Sequence, residues 1–524
     1  MASTLNQRLT PATEDRVLRS SAVRTQTTGA DSFIANPPQI DNGDEARYAD
    51  KSGTYTKGVL QEGIGLVDLA AYDSFIRALS SGNPSDFEKI VLGGPRTLNG
   101  PQGGLSFSLS SADVSQFAVP PAPALASEAY ATELVELYWA SLLRDVAVTD
   151  YKSNPTAMKA AAELSSMRAY AGPRDSSGAV TPELLFRGTF AGESVGPYLS
   201  QFLVQPTALG PLPITQRYVT NKAGQDFALS PAEYQQVQNG QPTGKSLTPL
   251  AQPLYLHDGR GLAAYTHDDV LYQAYFLAYL VLNTINNGGP APLNPGNPYR
   301  GSKSQNGFAS FGQPDIAATL ATVADLALKA VWYQKWWVHL RHRPESGGAI
   351  VHLLRTGQGG SIQGHVSDTV VDSQAVAASF AANNSYLLSQ AFPEGSPTHP
   401  AYPTGHGAVA GACITALKFF FDGSFVLKNP IVASSDGKST GKYTAPAGEP
   451  PLTVNGELHK LADNISFGHG IHAGIHWRSD TLTSIQLGEA VALSYLRDRA
   501  HTYNEQFSIS LTKLDGSTVT IANP

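Results

Sequence analysis

Apolar residues recur along this chain in blocks at helical spacing, and Gly, Pro, Ser and Asn interrupt the pattern between blocks. The first block, GLVDLAAYDSFIRALSSG from Gly65, predicts a helix that stops at Gly82. A stronger amphipathic helix is predicted over Ala126–Val146, with Leu134, Leu137, Tyr138, Ser141 and Leu142 on one side, and another over Thr156–Ala171. Tyr265–Asn283 is apolar nearly all round after its first turn, the pattern of one buried core helix. From Pro314 a single long helix is predicted, with Asp315 near its start and Pro344 closing it. A short helix within Thr356–Asn384, an apolar helix ending near Asp422 and a final helical region over residues 461–500 complete the series. The tail FSISLTKLDGSTVTI switches to alternation around Asp515-Gly516, which is a hairpin signal. Pro95–Pro123, much of 147–260 and Asn286–Gly312 read as long irregular segments, the kind that build binding surfaces or subunit contacts.

Composition narrows the picture. A chain of 524 residues with 42% hydrophobic residues buries a large core, and no repeat or low-complexity linker divides it. The expected organisation is a polar arm over 1–55, one helical body over 56–505 whose chemical core is 314–500, and the hairpin over 506–524. A net charge of −7 without a basic run argues against nucleic acid as the partner. Cys413 is the single cysteine, so no intrachain disulfide forms. The apolar run Leu271–Leu282 is too short for a bilayer core of about 30 Å, and the first 21 residues hold no apolar signal-peptide core. A soluble, cytoplasmic protein is the expectation.

The candidate chemistry lies in the second half, where eleven of the thirteen histidines should sit beside a set of buried cations. Ser396–Asp422 carries His399 and His406 and places Thr404-Gly405-His406 just before a helix start. There a hydroxyl, unpaired backbone N–H groups and the helix dipole favour an anion, although an ordinary N-cap threonine has the same sequence. Lys335, His339 and Arg343 follow one another at four-residue spacing, which puts them on one helix face among apolar neighbours with no acidic partner. Unpaired buried cations are costly, so a bound anion is inferred. His469, His472 and His476 have spacing that suits zinc, but the cations nearby would repel a divalent metal. Asp480, four residues past His476, can accept from its Nδ1–H and leave Nε2 basic, or simply form a surface pair.

The ordered set of K-x7-R-P, then H-x6-H ending in P-x-G-H, then a distal H-x3-D resembles the vanadium-dependent haloperoxidases, which share this site with type 2 phosphatidic acid phosphatases and bacterial class A acid phosphatases. AVWYQKWWVHLRHRPE and SPTHPAYPTGHGAVAGA look most like the bromoperoxidases of red algae and cyanobacteria, and TYTKGVLQEGIGLVD, IVLGGPRTLNGPQGGLSF, ELYWASLLRDV and the terminal hairpin extend the likeness over most of residues 50–520. The resemblance implies an all-α fold, with helical bundles in two four-helix-bundle-like layers, long loops and a small C-terminal β-hairpin. It implies a vanadate cofactor, with hydrogen peroxide, a halide and an organic acceptor as substrates, and a homo-oligomer. Carried over by position, Lys335, Arg343, Thr404 and Gly405 would hold the oxygens of vanadate, and His476 would bond the metal with Asp480 orienting it. His406 would be the acid–base group on bound peroxide, Lys335 would draw electron density from it, and His399 would be the extra histidine typical of bromide-oxidising members.

Two departures stand out. Thr404 replaces the family's usual serine and keeps the hydroxyl. The family's second arginine, six residues before the ligand histidine, is Gly470 here, in a stretch one residue longer, so His469 is the expected stand-in with His472 behind it. Arg478 lies beyond His476 and points to another face. Histidine in place of arginine predicts vanadate affinity that falls as pH rises through imidazole titration near about 6.5. An acid phosphatase working through a phospho-His476 intermediate, or a non-catalytic relative lacking one arginine, are the alternatives.

Overall fold

The periodic blocks form helices, two of them interrupted, in a computed structural model of the chain, which describes residues 15–16, 18–26, 29, 35–64 and 66–523. Helix α1 (Leu69–Ser81) starts where the Asp68 carboxylate accepts from Ala71 N–H and ends at Gly82, whose φ of 61° suits glycine. Helices α2 (Glu128–Leu143), α3 (Pro155–Ser166), α4 (Gln273–Leu282), α5 (Gln313–Tyr333), α6 (Pro344–Arg355) and α7 (Gln374–Asn383) follow. Then come α8 (Gly405–Phe420), α9 (Val454–Phe467) and α10 (Arg478–Ala500). The predicted hairpin forms from β1 (Ser508–Thr512) and β2 (Thr518–Ala522), paired antiparallel from Ser508–Ala522 to Thr512–Thr518, with Gly516 at positive φ in the turn.

These helices bury two cores. In one, α4, α5, α8, α9 and α10 meet through residues such as Tyr275, Leu320, Ile414, Leu458 and Ile485, and the hairpin covers it with Ile509, Leu511 and Ile521. In the other, Leu137 of α2, Leu164 of α3, Val351 of α6 and Val376 of α7 pack together with Phe467, Ile471 and Trp477. The last two of these lie in the link between α9 and α10, so that link is buried in the second bundle while its helices belong to the first. Helices α8 and α10 pack backbone on backbone: a Cβ on Gly411 would lie 1.9 Å from Ile485 O, and one on Gly488 2.0 Å from Ala408 O. That close approach puts the start of α8 against the start of α10, where Thr404 N–H donates to Asp480 O at 3.1 Å.

Three expectations change. Tyr265–Asn283 is not one helix: a short helix, Gly259–Tyr265, stops at Thr266, and α4 begins only at Gln273. The polar residues between them include Asp269, whose carboxylate turns inward to His406. The long helix from Pro314 also breaks: α5 passes into a π-helical turn, Gln334–His339, and Leu340 adopts φ 42° before α6 begins. Pro344 opens α6 instead of closing the previous helix, because a residue without an N–H suits a first turn. A second π-turn, Gly468–His472, follows α9. Gln313–His339 is also the one stretch among the described residues long and apolar enough to cross a membrane; half of that window is buried inside the protein, and α5 serves as a core helix. Of the expected N-terminal arm, residues 1–14, 17, 27–28 and 30–34 lie outside the described residues. Residues 18–26 are helical, and Arg19 donates to Tyr503 O at 2.8 Å.

Candidate active site

Both cations of the motif are buried, and neither pairs with a carboxylate. Lys335 sits on the first π-turn and donates from Nζ to the carbonyls of Pro400 and Ala401 at 2.7 and 2.8 Å. Arg343, the residue before α6, donates to the carbonyls of His399 and Ile475 at 2.9 and 2.8 Å. Its remaining N–H groups go to His476 Nε2 at 2.8 Å and His399 Nδ1 at 2.9 Å. Burial pulls both groups below their ordinary values, Lys335 strongly with Arg343 beside it, and Arg343 to about 10. The one-face geometry expected for Lys335, His339 and Arg343 is replaced by a π-turn and a break, which bring Lys335 and Arg343 together. His339 turns away instead: its Nε2 lies 3.2 Å from Gln334 Oε1 and its ring against Tyr402.

Opposite the cations stands the start of α8. Thr404 occupies the N-cap position but makes no capping bond, and its hydroxyl is buried without a partner. A plain cap would have used that oxygen on a backbone N–H. The N–H of Gly405 is one of the first-turn donors that no helix can satisfy internally. His406 directs Nε2 to Asp269 Oδ1 at 2.8 Å, leaving Nδ1 for other work. His399 is buried against Trp332 with ring centroids 4.8 Å apart, and burial and then Arg343 hold it well below its usual range.

The α9–α10 link closes the site. His476 Nδ1–H donates to Asp480 Oδ2 at 2.9 Å, and the same oxygen accepts from Trp477 N–H at 3.1 Å. Both residues are fully buried, so the surface-pair reading fails. Because the carboxylate only accepts, the proton is on Nδ1 and the lone pair is on Nε2. His469 stacks on His406 with centroids 3.8 Å apart and lies 5.5 Å from His476, with its Nδ1 buried and unpartnered. A side chain at Gly470 would begin 3.0 Å from His476 Cβ and would press on His476. The π-turn absorbs the extra residue of this stretch and presents His469 instead.

His472 does not join them. Its Nε2 meets Tyr198 OH at 3.1 Å, its ring packs on Phe186, and Arg144 holds its carbonyl. The zinc spacing therefore never closes on one point. Nor is Arg478 available, because it forks onto Glu136. The expected titration near neutral pH also changes. Burial, then His406 and His476, hold His469 well below its usual range, and burial and Arg144 hold His472 at about 3. Both are neutral at neutral pH.

Three further residues matter that the motifs did not single out: Asp269, Arg341 and Glu133. Asp269 was readable as part of an acidic pair opening an apolar run, and Glu133 as an acid inside an apolar helix face. Arg341 lies between the two motif cations and donates to Asp480 Oδ1 at 2.6 Å.

Two buried cations without carboxylate partners, an unpartnered threonine hydroxyl, first-turn helix N–H groups and an imidazole nitrogen that accepts from Arg343 are the kinds of group a tetrahedral oxyanion needs. Residues 315–505 match the VCPO second helical-bundle domain. The chain is 31% identical to a vanadium-dependent bromoperoxidase of Corallina officinalis, over 92% of this chain and 95% of that protein. It is 29% identical to one of Ascophyllum nodosum, over 92% of this chain and 88% of that protein. Its fold matches the homohexameric second vanadate-dependent bromoperoxidase from Ascophyllum nodosum with a TM-score of 0.90 and 25% identity, covering 98% of this chain and 91% of that one. The chain belongs to the vanadium-dependent haloperoxidase family.

Proposed function

We propose that this protein holds vanadate at the site above and uses hydrogen peroxide to oxidise bromide or iodide to hypohalous acid, which halogenates organic acceptors. The observation that carries the reading is the pair of buried cations, Lys335 and Arg343, neither of which has a carboxylate partner: Lys335 is held by the Pro400 and Ala401 carbonyls, and Arg343 donates to His476 Nε2. The orphaned Thr404 hydroxyl and His469 Nδ1 fit the same oxyanion, since a bound oxygen would satisfy each. Bound vanadate supplies a Lewis-acidic centre that activates peroxide toward a halide.

The protein's own groups prepare that chemistry. His476 contributes the metal-bonding nitrogen because Asp480 fixes its tautomer. Lys335 and Arg343 neutralise oxyanion charge, and Thr404, Gly405 N–H and His469 add hydrogen bonds without adding charge. His406, held by Asp269 through one nitrogen, keeps the other to take or give the proton of peroxide. His399 takes its place beside Arg343, where it shapes the approach of the halide. His472 drops out of the set. Assembly as a homo-oligomer belongs to the same reading, supported by the hexameric relative that covers nearly the whole chain.

The test is bromination of monochlorodimedone with peroxide, with and without added vanadate, run beside p-nitrophenyl phosphate hydrolysis. Vanadate-dependent bromination is expected. Phosphate-ester hydrolysis without bromination would favour the phosphatase alternative, and inactivity in both assays would favour a non-catalytic relative.

A further inference from the structure

Arg341 is buried where the two bundles meet, and its two terminal nitrogens reach Asp480 and Ser479 at the start of α10 and Glu133 on α2. NH1 donates to Asp480 Oδ1 at 2.6 Å and to Ser479 Oγ at 2.8 Å, and NH2 donates to Glu133 Oε2 at 2.9 Å. The other oxygen of Glu133 accepts from Ser479 N–H at 2.7 Å, so a carboxylate from α2 sits at the start of α10, where the helix dipole favours it. The guanidinium also lies over the rings of Trp477 and Tyr402, at 4.7 and 5.9 Å. A flat fork between two rings suits arginine and not lysine. The main chain of the same residue faces the other wall: its carbonyl accepts from Ala401 N–H at 2.9 Å, and the Ala401 carbonyl in turn accepts from Lys335 Nζ at 2.8 Å.

We propose that Arg341 is the positioning residue of the anion site, aiming His476 through Asp480 and Lys335 through Ala401, with Glu133 anchoring it to the second bundle. The inference rests on the reading that His476 and Lys335 hold vanadate. The physical reason lies in the lone pairs of Asp480. Oδ2 is engaged by His476 and the Trp477 N–H, while Oδ1 has Arg341 as its side-chain partner. Without that donor, a fully buried carboxylate oxygen is left unsatisfied and the group turns to recover a bond, taking the imidazole with it. Glu133 comes from a helix more than two hundred residues before His476. Helix α2 therefore acts on the anion site although none of its own side chains is among the groups placed around the anion.

The test is calorimetric titration of the full-length, metal-free protein with orthovanadate and, separately, with inorganic phosphate. Wild type, Arg341→Met and Glu133→Gln are compared, with circular dichroism and thermal midpoints recorded beside them. Arg341→Met is expected to raise Kd for both anions by about 10–100-fold. Glu133→Gln keeps an acceptor for Ser479 N–H but loosens Arg341, and is expected to raise Kd several-fold. A purely structural role would lower the midpoint and leave the Kd of the folded protein unchanged. Vanadate binding within twofold of wild type by folded Arg341→Met overturns the inference. If the methionine variant fails to fold, an unchanged Kd in Glu133→Gln overturns it instead. A wild-type protein that binds neither anion would overturn the vanadate reading itself.

Discussion

Two buried charge clusters lie within two residues of each other, on either side of Trp477, and they are built in opposite ways. On one side, Lys335 finds only the carbonyls of Pro400 and Ala401, and Arg343 finds only carbonyls and the nitrogens of His476 and His399. On the other, Arg478 forks onto Glu136 and donates to Arg187 O, while Lys460 pairs with Glu457. Arg187, Glu193 and Asp463 complete that second cluster, in which carboxylates are in surplus and both oxygens of Asp463 lack a donor. A buried cation that already has its anion serves structure; one held only by carbonyls is kept ready for an anion from outside. The difference explains why Arg478, although only two residues from His476 in sequence, is not free to face the same site.

The largest expected effect breaks the first cluster. His476→Ala removes the nitrogen on which the site converges, and bromination should fall by at least about 10²–10³, the loss typical of removing one electrostatic contact from a catalytic site. Asp480 keeps Arg341 and the Trp477 N–H, so folding should persist. Unchanged bromination would mean that the reaction does not use this site.

Next is the structural cluster. Arg478→Met leaves Glu136 as a buried carboxylate without its partner, and a loss of about 3–5 kcal/mol in stability is expected from denaturant titration. Vanadate affinity of the molecules that remain folded should not change. A fall in that affinity would show that Arg478 serves the anion after all, and the contrast between the clusters would collapse.

Much of the first cluster was legible because its chemistry is local in sequence. Lys335 and Arg343 lie in one run, Thr404-Gly405-His406 is contiguous, and His476 and Asp480 are four apart, so spacing alone joins each pair. The helices were legible for the same reason, as their apolar periodicity is a short-range signal. What spacing could not show were the π-turns at Gln334–His339 and Gly468–His472, since an apolar pattern does not distinguish an inserted residue from ordinary helix. A 3.6-residue period puts His339 and His472 in the site, and in each case the turn has already interrupted that period. Asp269, Glu133 and Arg341 were hidden for another reason. Each acts across a gap of more than a hundred residues, and only the meeting of the two bundles brings them to the site.

A smaller effect sharpens the contrast from inside the site. His469 brings a buried, unpartnered Nδ1 to the stretch where the sequence resemblance implies an arginine, so Lys335 and Arg343 are the two fixed cations of the motif. His469→Arg should tighten vanadate binding by about tenfold, roughly 1.4 kcal/mol, as a charged donor replaces a neutral one. Calorimetry on the metal-free protein measures it. Weaker binding would show that the stack of His469 on His406 matters more than the charge.

The smallest effect tests the surplus of carboxylates. Burial raises Glu193 and Asp463 above the ordinary carboxylate range, outweighing Arg187 and Lys460 for Glu193 and Arg478 for Asp463. A carboxyl whose value is raised on folding stabilises the protein fully below its unfolded value of about 4.3, and that contribution is lost as pH climbs through the raised one. The second cluster should therefore make the protein less stable from mildly acidic toward neutral pH, the opposite of what a paired carboxylate would do. In Glu193→Gln one proton is in effect fixed in place, so the decline of the thermal midpoint between about pH 5 and 8 should flatten, by about 1–2 °C in a chain of this size. Vanadate affinity at each pH should match wild type, because the groups that face the anion are untouched. If the slope survives in Glu193→Gln and disappears in Asp463→Asn, the proton resides on Asp463, and the surplus belongs to α9 rather than to the loop that carries Glu193.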